Sequence, residues 1–122
     1  MKIIFSNNKE FEYTQAFAMN KDYHNGETRP SIEIHMPIEQ TSFDEIAGII
    51  TNVDIMQSFT LVGEENENGF TPTNTYEGYI YGDKIIVENG ILIFKKYRAS
   101  VSEMENIELK QAVDTLLIAM EV

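Results

Sequence analysis

The dipeptide Asn89-Gly90 stands between two strand-forming runs, Ile85-Ile86-Val87-Glu88 and Ile91-Leu92-Ile93-Phe94. Two-residue hairpins favour a type I′ turn, in which both central residues need positive φ, and Asn-Gly meets that need at the least steric cost. The pattern therefore predicts an antiparallel hairpin, its second strand running on through Lys95, Lys96, Tyr97 and Arg98.

Period-two alternation elsewhere predicts more strands. Ile3-Ile4-Phe5, the turn residues Ser6-Asn7-Asn8-Lys9 and the alternating run Phe11 to Phe17 read as an opening strand pair, and the polar segment from Asn20 to Pro30 reads as a loop. Ile32, Ile34 and Met36 share one face of a further strand with Glu33 and His35 on the other, and Pro37 ends it or confines it to an edge. Val53 to Val62 also reads as a strand, with Ile55, Phe59 and Leu61 in phase, and so does Tyr76 to Tyr81, with Tyr79 and Tyr81 on one face. Gly82-Asp83 marks a turn or bulge.

Two segments depart from this pattern. Ser42-Phe43-Asp44-Glu45 has the S-x-x-E form of a capping box and precedes Phe43, Ile46, Ile49 and Ile50 at helical spacing, which predicts a short helix near 42–51. Ser100 to Glu103 repeats the form ahead of a stripe of Leu109, Val113, Leu116, Leu117 and Met120, which predicts a C-terminal helix near 103–120. The expected fold is α+β: a mainly antiparallel sheet or split barrel with one short inserted helix and a C-terminal helix. At 122 residues the chain, 1–122, fits a single domain.

The acidic, Asn-rich stretch GEENENGFTPTNTYEGY, Gly63 to Tyr79, raises the question of a metal. Aligning Gly69 with the invariant glycine of an EF-hand loop places Glu64, Asn66 and Asn68 at liganding positions one, three and five. The bidentate acid of position twelve is replaced by Thr75, and no helical pattern flanks the segment. An exposed connection between strands is the expectation, mobile and acidic over 63–75, with a strand starting at Tyr76. His24 and His35 fall in no metal-ligand spacing, so no metal and no cofactor are expected.

The chain has no cysteine and no G-x-S-x-G turn, its glycines are scattered singly, and its many carboxylates reflect its acidity rather than a paired acid and base. A non-enzymatic protein is expected. A net charge of −11 disfavours direct binding to nucleic acid, and the basic cluster Lys95-Lys96-Tyr97-Arg98 offers no continuous stripe for phosphates, because alternate residues face opposite ways. No signal peptide and no membrane-spanning run is read from the sequence, and the lack of cysteine fits a cytosolic or virion setting.

The segments SIEIHMP, TSFDEIAGII, TYEGYIYGDKIIVENG and ILIFKKYRASVSE, in that order, resemble small tail or baseplate structural proteins of tailed bacteriophages and prophages, built as a split β-barrel with an inserted helix and an extended hairpin. The resemblance implies a virion component that assembles through its sheet edges and hairpin. It carries over no individual residue. Protein partners are expected, through self-association or contact with other virion proteins. The residues taken as a candidate interface are Glu64, Glu65 and Glu67 in the acidic loop, Tyr76, Tyr79 and Tyr81, and the hairpin tip Asn89-Gly90. The competing class is a small acidic inhibitor that mimics nucleic acid, of the anti-restriction or anti-CRISPR type, supported by the net charge and by Glu64, Glu65, Glu67, Glu77, Asp83 and Glu88.

Overall fold

The computed structural model describes residues 1–82 and 84–120, the last ten of these as backbone only. The fold is α+β, with two antiparallel sheets around one core. The first sheet has the order β2-β1-β5-β6, built from β1 (Lys2–Phe5), β2 (Glu10–Glu12), β5 (Ser58–Val62) and β6 (Thr73–Glu77). The second has the order β3-β4-β9-β7, from β3 (Gln15–His24), β4 (Glu27–Pro37), β9 (Ile91–Arg98) and β7 (Tyr79–Tyr81), and β8 (Ile85–Glu88) also pairs with β9. Helix α1 (Phe43–Ile50), the single turn α2 (Val53–Met56) and the C-terminal α3 (Val101–Met120) complete the fold.

Alternation decides what enters the core. Ile3, Phe5, Phe59 and Leu61 of the first sheet meet Ile32, Ile34, Met36, Leu92 and Phe94 of the second, and Ile46, Ile49, Ile50 and Met56 join them from α1 and α2. Phe43 begins the same helical stripe but remains 48% exposed. Ser42 caps α1 by accepting from the Glu45 amide at 3.2 Å, whereas the Glu45 carboxylate turns to Lys9 and Thr41 rather than back to the cap. The capping box of α1 is thus half used.

The Asn89-Gly90 hairpin forms as expected, with φ of 52° and 76° at its two residues and Glu88 paired with Ile91. A Cβ on Gly90 would meet no atom within 4 Å, so only backbone strain opposes a side chain there. Gly90→Ala is expected to cost about 1 kcal/mol in urea unfolding, with an unchanged m-value.

Five expectations are corrected. The segment Asn20 to Pro30 is not a loop: it forms the far half of the long β3–β4 hairpin, closed by Asn25-Gly26 at φ of 49° and 86°. Pro30 lies inside β4, opposite the bulge between Met19 and Asp22, where the ladder is interrupted and a missing N–H is tolerated. The run Phe11 to Phe17 is two strands in different sheets, parted at Tyr13-Thr14, where the Thr14 amide donates to the His35 carbonyl at 2.8 Å. Val53 to Val62 is not all strand: Asn52 accepts from the Ile55 amide and starts the α2 turn, so β5 begins only at Ser58. Tyr76 to Tyr81 is likewise broken by Gly78 at φ 80°, whose amide donates to Gln57 and whose carbonyl accepts from Ala99, so that β6 and β7 belong to different sheets.

Finally, β6 begins at Thr73, so residues 63–72 form the loop of the β5–β6 hairpin, and that loop is organised. The Asn66 side chain accepts from the amides of Asn68 and Phe70, both at 3.0 Å, and the Gly63 amide donates to Pro72 at 2.7 Å. The expected turn residue Asp83 lies outside the described residues, as do the side chains of Val113, Leu116, Leu117 and Met120.

Candidate interaction surface

The second sheet has an outer face that the core does not cover. With Ile32, Ile34 and Met36 turned inward, Glu33 and His35 of β4 point outward, and pairing places Gln15, Phe17 and Met19 of β3 and Ile93 and Lys95 of β9 on the same side. Ile86 of β8 lies across from Ile93 and extends the face to the opposite edge. Phe17 is 52% exposed and Met19 49%, and Phe17 meets the His35 ring edge-on at 5.5 Å. His35 also contacts Glu33 through Nε2 at 2.9 Å.

Beyond its bulge, β3 closes over this face. Asp22 receives hydrogen bonds from Ser31 and Lys95, and His24 stacks on Tyr97 with centroids 4.1 Å apart. Lys95, and then Ser31, hold the Asp22 carboxyl below its ordinary range, while Asp22 raises the Lys95 ammonium. The basic cluster is therefore divided: Lys95 is paired on the outer face, and Lys96, opposite Ile32, is buried.

A second cluster fastens α3. Ser100 and Glu103 form the full reciprocal capping box: the Glu103 amide donates to Ser100 Oγ at 3.2 Å and the Ser100 amide to Glu103 Oε1 at 3.0 Å. Arg29 of β4 grips the same carboxylate with both nitrogens of its fork, Nη1 to Oε1 at 2.6 Å and Nη2 to Oε2 at 3.1 Å. The Tyr81 hydroxyl donates to Oε2, and the Arg29 guanidinium lies 4.8 Å from the Tyr81 ring centre. These donors, Arg29 first, hold the Glu103 carboxyl far below the usual carboxylate range, and the same carboxylate raises the Tyr81 phenol.

The groove beside this clasp is lined by Glu27, Arg29, Arg98, Ser100 and Glu103. Two of its groups are committed internally: the Arg29 fork is taken by Glu103 and Glu27, and the Ser100 hydroxyl accepts the helix-cap bond. Among the described residues, no group of three or more His, Asp or Glu side chains is placed to hold a metal ion, and no helix is long and apolar enough to cross a membrane.

The residues singled out from the sequence fall in separate places. Glu64, Glu65 and Glu67 are exposed on the β5–β6 loop. Asn89 and Gly90 are exposed at the β8–β9 tip, where the Gly90 carbonyl accepts from the Ile38 amide at 3.0 Å. Tyr76 and Tyr79 do come together, with ring centres 5.6 Å apart, but around Phe59, on which Tyr76 stacks at 5.4 Å. Burial raises the Tyr76 phenol. Tyr79 and Tyr81 are half-buried against the core, so removing them would disturb packing and the α3 clasp together with any contact surface. Phe17, Met19 and Arg29 were not singled out. Alternation at Phe17 was visible, but it shows which residues share a face and not whether that face is covered.

No protein-family model, curated protein or solved structure matches the chain.

Proposed function

We propose that the protein is a non-enzymatic assembly component that acts through protein–protein contacts, of the kind that builds the tail-type parts of phage or prophage particles. The observation that supports assembly is β3: a ten-residue strand at the end of its sheet whose first seven residues, Gln15 to Lys21, are all exposed. An unpaired edge presents free backbone donors and acceptors, and soluble proteins normally blunt such edges with charge, proline or short length. The order of the segments SIEIHMP, TSFDEIAGII, TYEGYIYGDKIIVENG and ILIFKKYRASVSE supports the phage setting.

Light scattering on the purified protein across a concentration series tests this reading. Mass that rises with concentration is the expected result. A strict monomer up to about 1 mM, where a contact of only about −4 kcal/mol would register, overturns it. The mimic of nucleic acid remains the second reading because Glu64, Glu65 and Glu67 are displayed on a loop with internal order. Capture of a basic nuclease that is released at high salt would favour it.

A further inference from the structure

We propose that the occupant of the β3 edge is a second copy of this chain, paired antiparallel through residues 15–19 about a two-fold axis at Phe17. The proposal rests on the assembly reading above and names the partner and the register of that contact.

Charge confines a second copy to a neutral stretch of surface. The chain carries a net charge of −11, so two copies repel over most orientations. Gln15-Ala-Phe-Ala-Met19 is free of charge, proline and glycine. A basic partner would be drawn to carboxylates, which this segment does not offer, whereas a second copy brings an equally neutral strand. Both sides of the edge are apolar: Phe17 and Met19 lie on the outer face, and Ala16 and Ala18, opposite Ile34 and Ile32, are exposed on the other. The nearest outward acid on β4, Glu33, sits opposite Phe17. Across a β4-β3-β3-β4 sheet the two copies of Glu33 would be about 14 Å apart, beyond a Debye length of about 8 Å at physiological salt.

The backbone selects the register. Regular pairing of β3 with β4 runs from Gln15↔His35 to Met19↔Ser31 and ends at the bulge before Asp22. A two-fold antiparallel pair that uses the whole regular stretch must centre on its middle residue, Phe17. Phe17 then faces Phe17 of the second copy, Ala16 faces Ala18, and Gln15 faces Met19. The second sheet becomes continuous across the axis, and the outer apolar strips of the two copies merge.

The absence of cysteine from the chain makes a single introduced thiol diagnostic. Residues directly opposite in an antiparallel pair have Cα atoms about 4.5–5.5 Å apart, within disulfide range. Phe17→Cys is expected to form a disulfide-linked dimer under mild oxidation about tenfold faster than Ile86→Cys, a thiol on the same face at the opposite edge. In the cysteine-free chain, Phe17→Lys is expected to raise the dimer dissociation constant about tenfold or more by setting two charges face to face, with its thermal midpoint as a monomer lowered only by the loss of the Phe17–His35 ring contact. Equal oxidation rates at the two positions, or association untouched by Phe17→Lys, overturns the β3 pairing while leaving assembly through another surface intact. A β3 dimer that nonetheless captures a basic nuclease keeps the pairing and removes the virion assembly reading. A strict monomer at all concentrations removes both.

Discussion

Replacing Arg29 by methionine is expected to destabilise the protein by about 3 kcal/mol, because it strips a carboxylate of its main counter-charge while the rest of the clasp stays in place. The Arg29 side chain is only 12% exposed and that of Glu103 30%, so water can replace little of what is lost. Methionine keeps most of the aliphatic stem, which separates the loss of charge from the loss of packing. Glu103→Gln should cost less, since its one carbonyl oxygen can still accept from the Ser100 amide and the Tyr81 hydroxyl can turn to accept from the NH2 that replaces Oε2. The double variant should fall short of the sum, with a coupling of about 1–2 kcal/mol in a double-mutant cycle.

The same clasp predicts a dependence on pH. The Glu103 carboxyl is depressed in the folded protein, Arg29 being the main cause, so between its folded and unfolded values only the unfolded chain binds the proton. Its contribution is therefore fully present above the ordinary carboxylate range, about 4.5, and declines as pH falls below that value toward the folded one. Urea unfolding from pH 6 to pH 3 should show this decline in the natural protein and a shallower one in Glu103→Gln. Parallel slopes would show that the carboxylate is not held as the geometry indicates.

How much of this was legible in the residues varies element by element. Asn89-Gly90 was readable because both flanks are apolar, strand-forming runs, β9 alternately buried and β8 largely exposed, so the turn chemistry stands between two segments that already read as strands. Asn25-Gly26 is the same dipeptide with the same backbone, yet its flanks, Asn20 to His24 and Glu27 to Pro30, are polar because both strands stand at the exposed end of the sheet. Burial creates the alternation that sequence reasoning depends on, and where burial ends the signal ends with it. Val53-Asp54-Ile55-Met56 is ambiguous for another reason. Four residues satisfy period two and a single helical turn equally well, and the Asn52 cap was the deciding detail. The Ser100–Glu103 box could be read locally, but the partner that gives it weight lies 74 positions away, at Arg29. The phase of Phe17 was readable, while its exposure depends on β3 ending the sheet, a property of topology rather than of the segment.

Gly82→Ala is expected to be far more damaging than Gly90→Ala, although both glycines have positive φ. At φ 97°, Gly82 occupies backbone space that side chains rarely enter, at a cost of about 1–3 kcal/mol by itself. A Cβ there would also stand 2.9 Å from the Lys95 carbonyl oxygen and 3.2 Å from the Tyr97 ring. Neither neighbour yields easily. Lys95 is held in β9 opposite Glu33 and its ammonium is tied to Asp22, while Tyr97 is stacked beneath His24. Relief requires β9 to move, and β9 is paired with β4 on one side and with β7 and β8 on the other. Strain and overlap together should cost about 3 kcal/mol or more, against about 1 for Gly90→Ala, where strain acts alone. Equal losses would mean that β9 gives way without cost. Because the Lys95–Asp22 contact anchors β3 beyond its bulge, a shift of β9 at Lys95 should also loosen the far half of the β3–β4 hairpin. Faster amide exchange at Tyr23 and His24 in Gly82→Ala, with β1 and β5 unaffected, is the expected signature, and uniform acceleration throughout the chain would instead indicate global destabilisation alone.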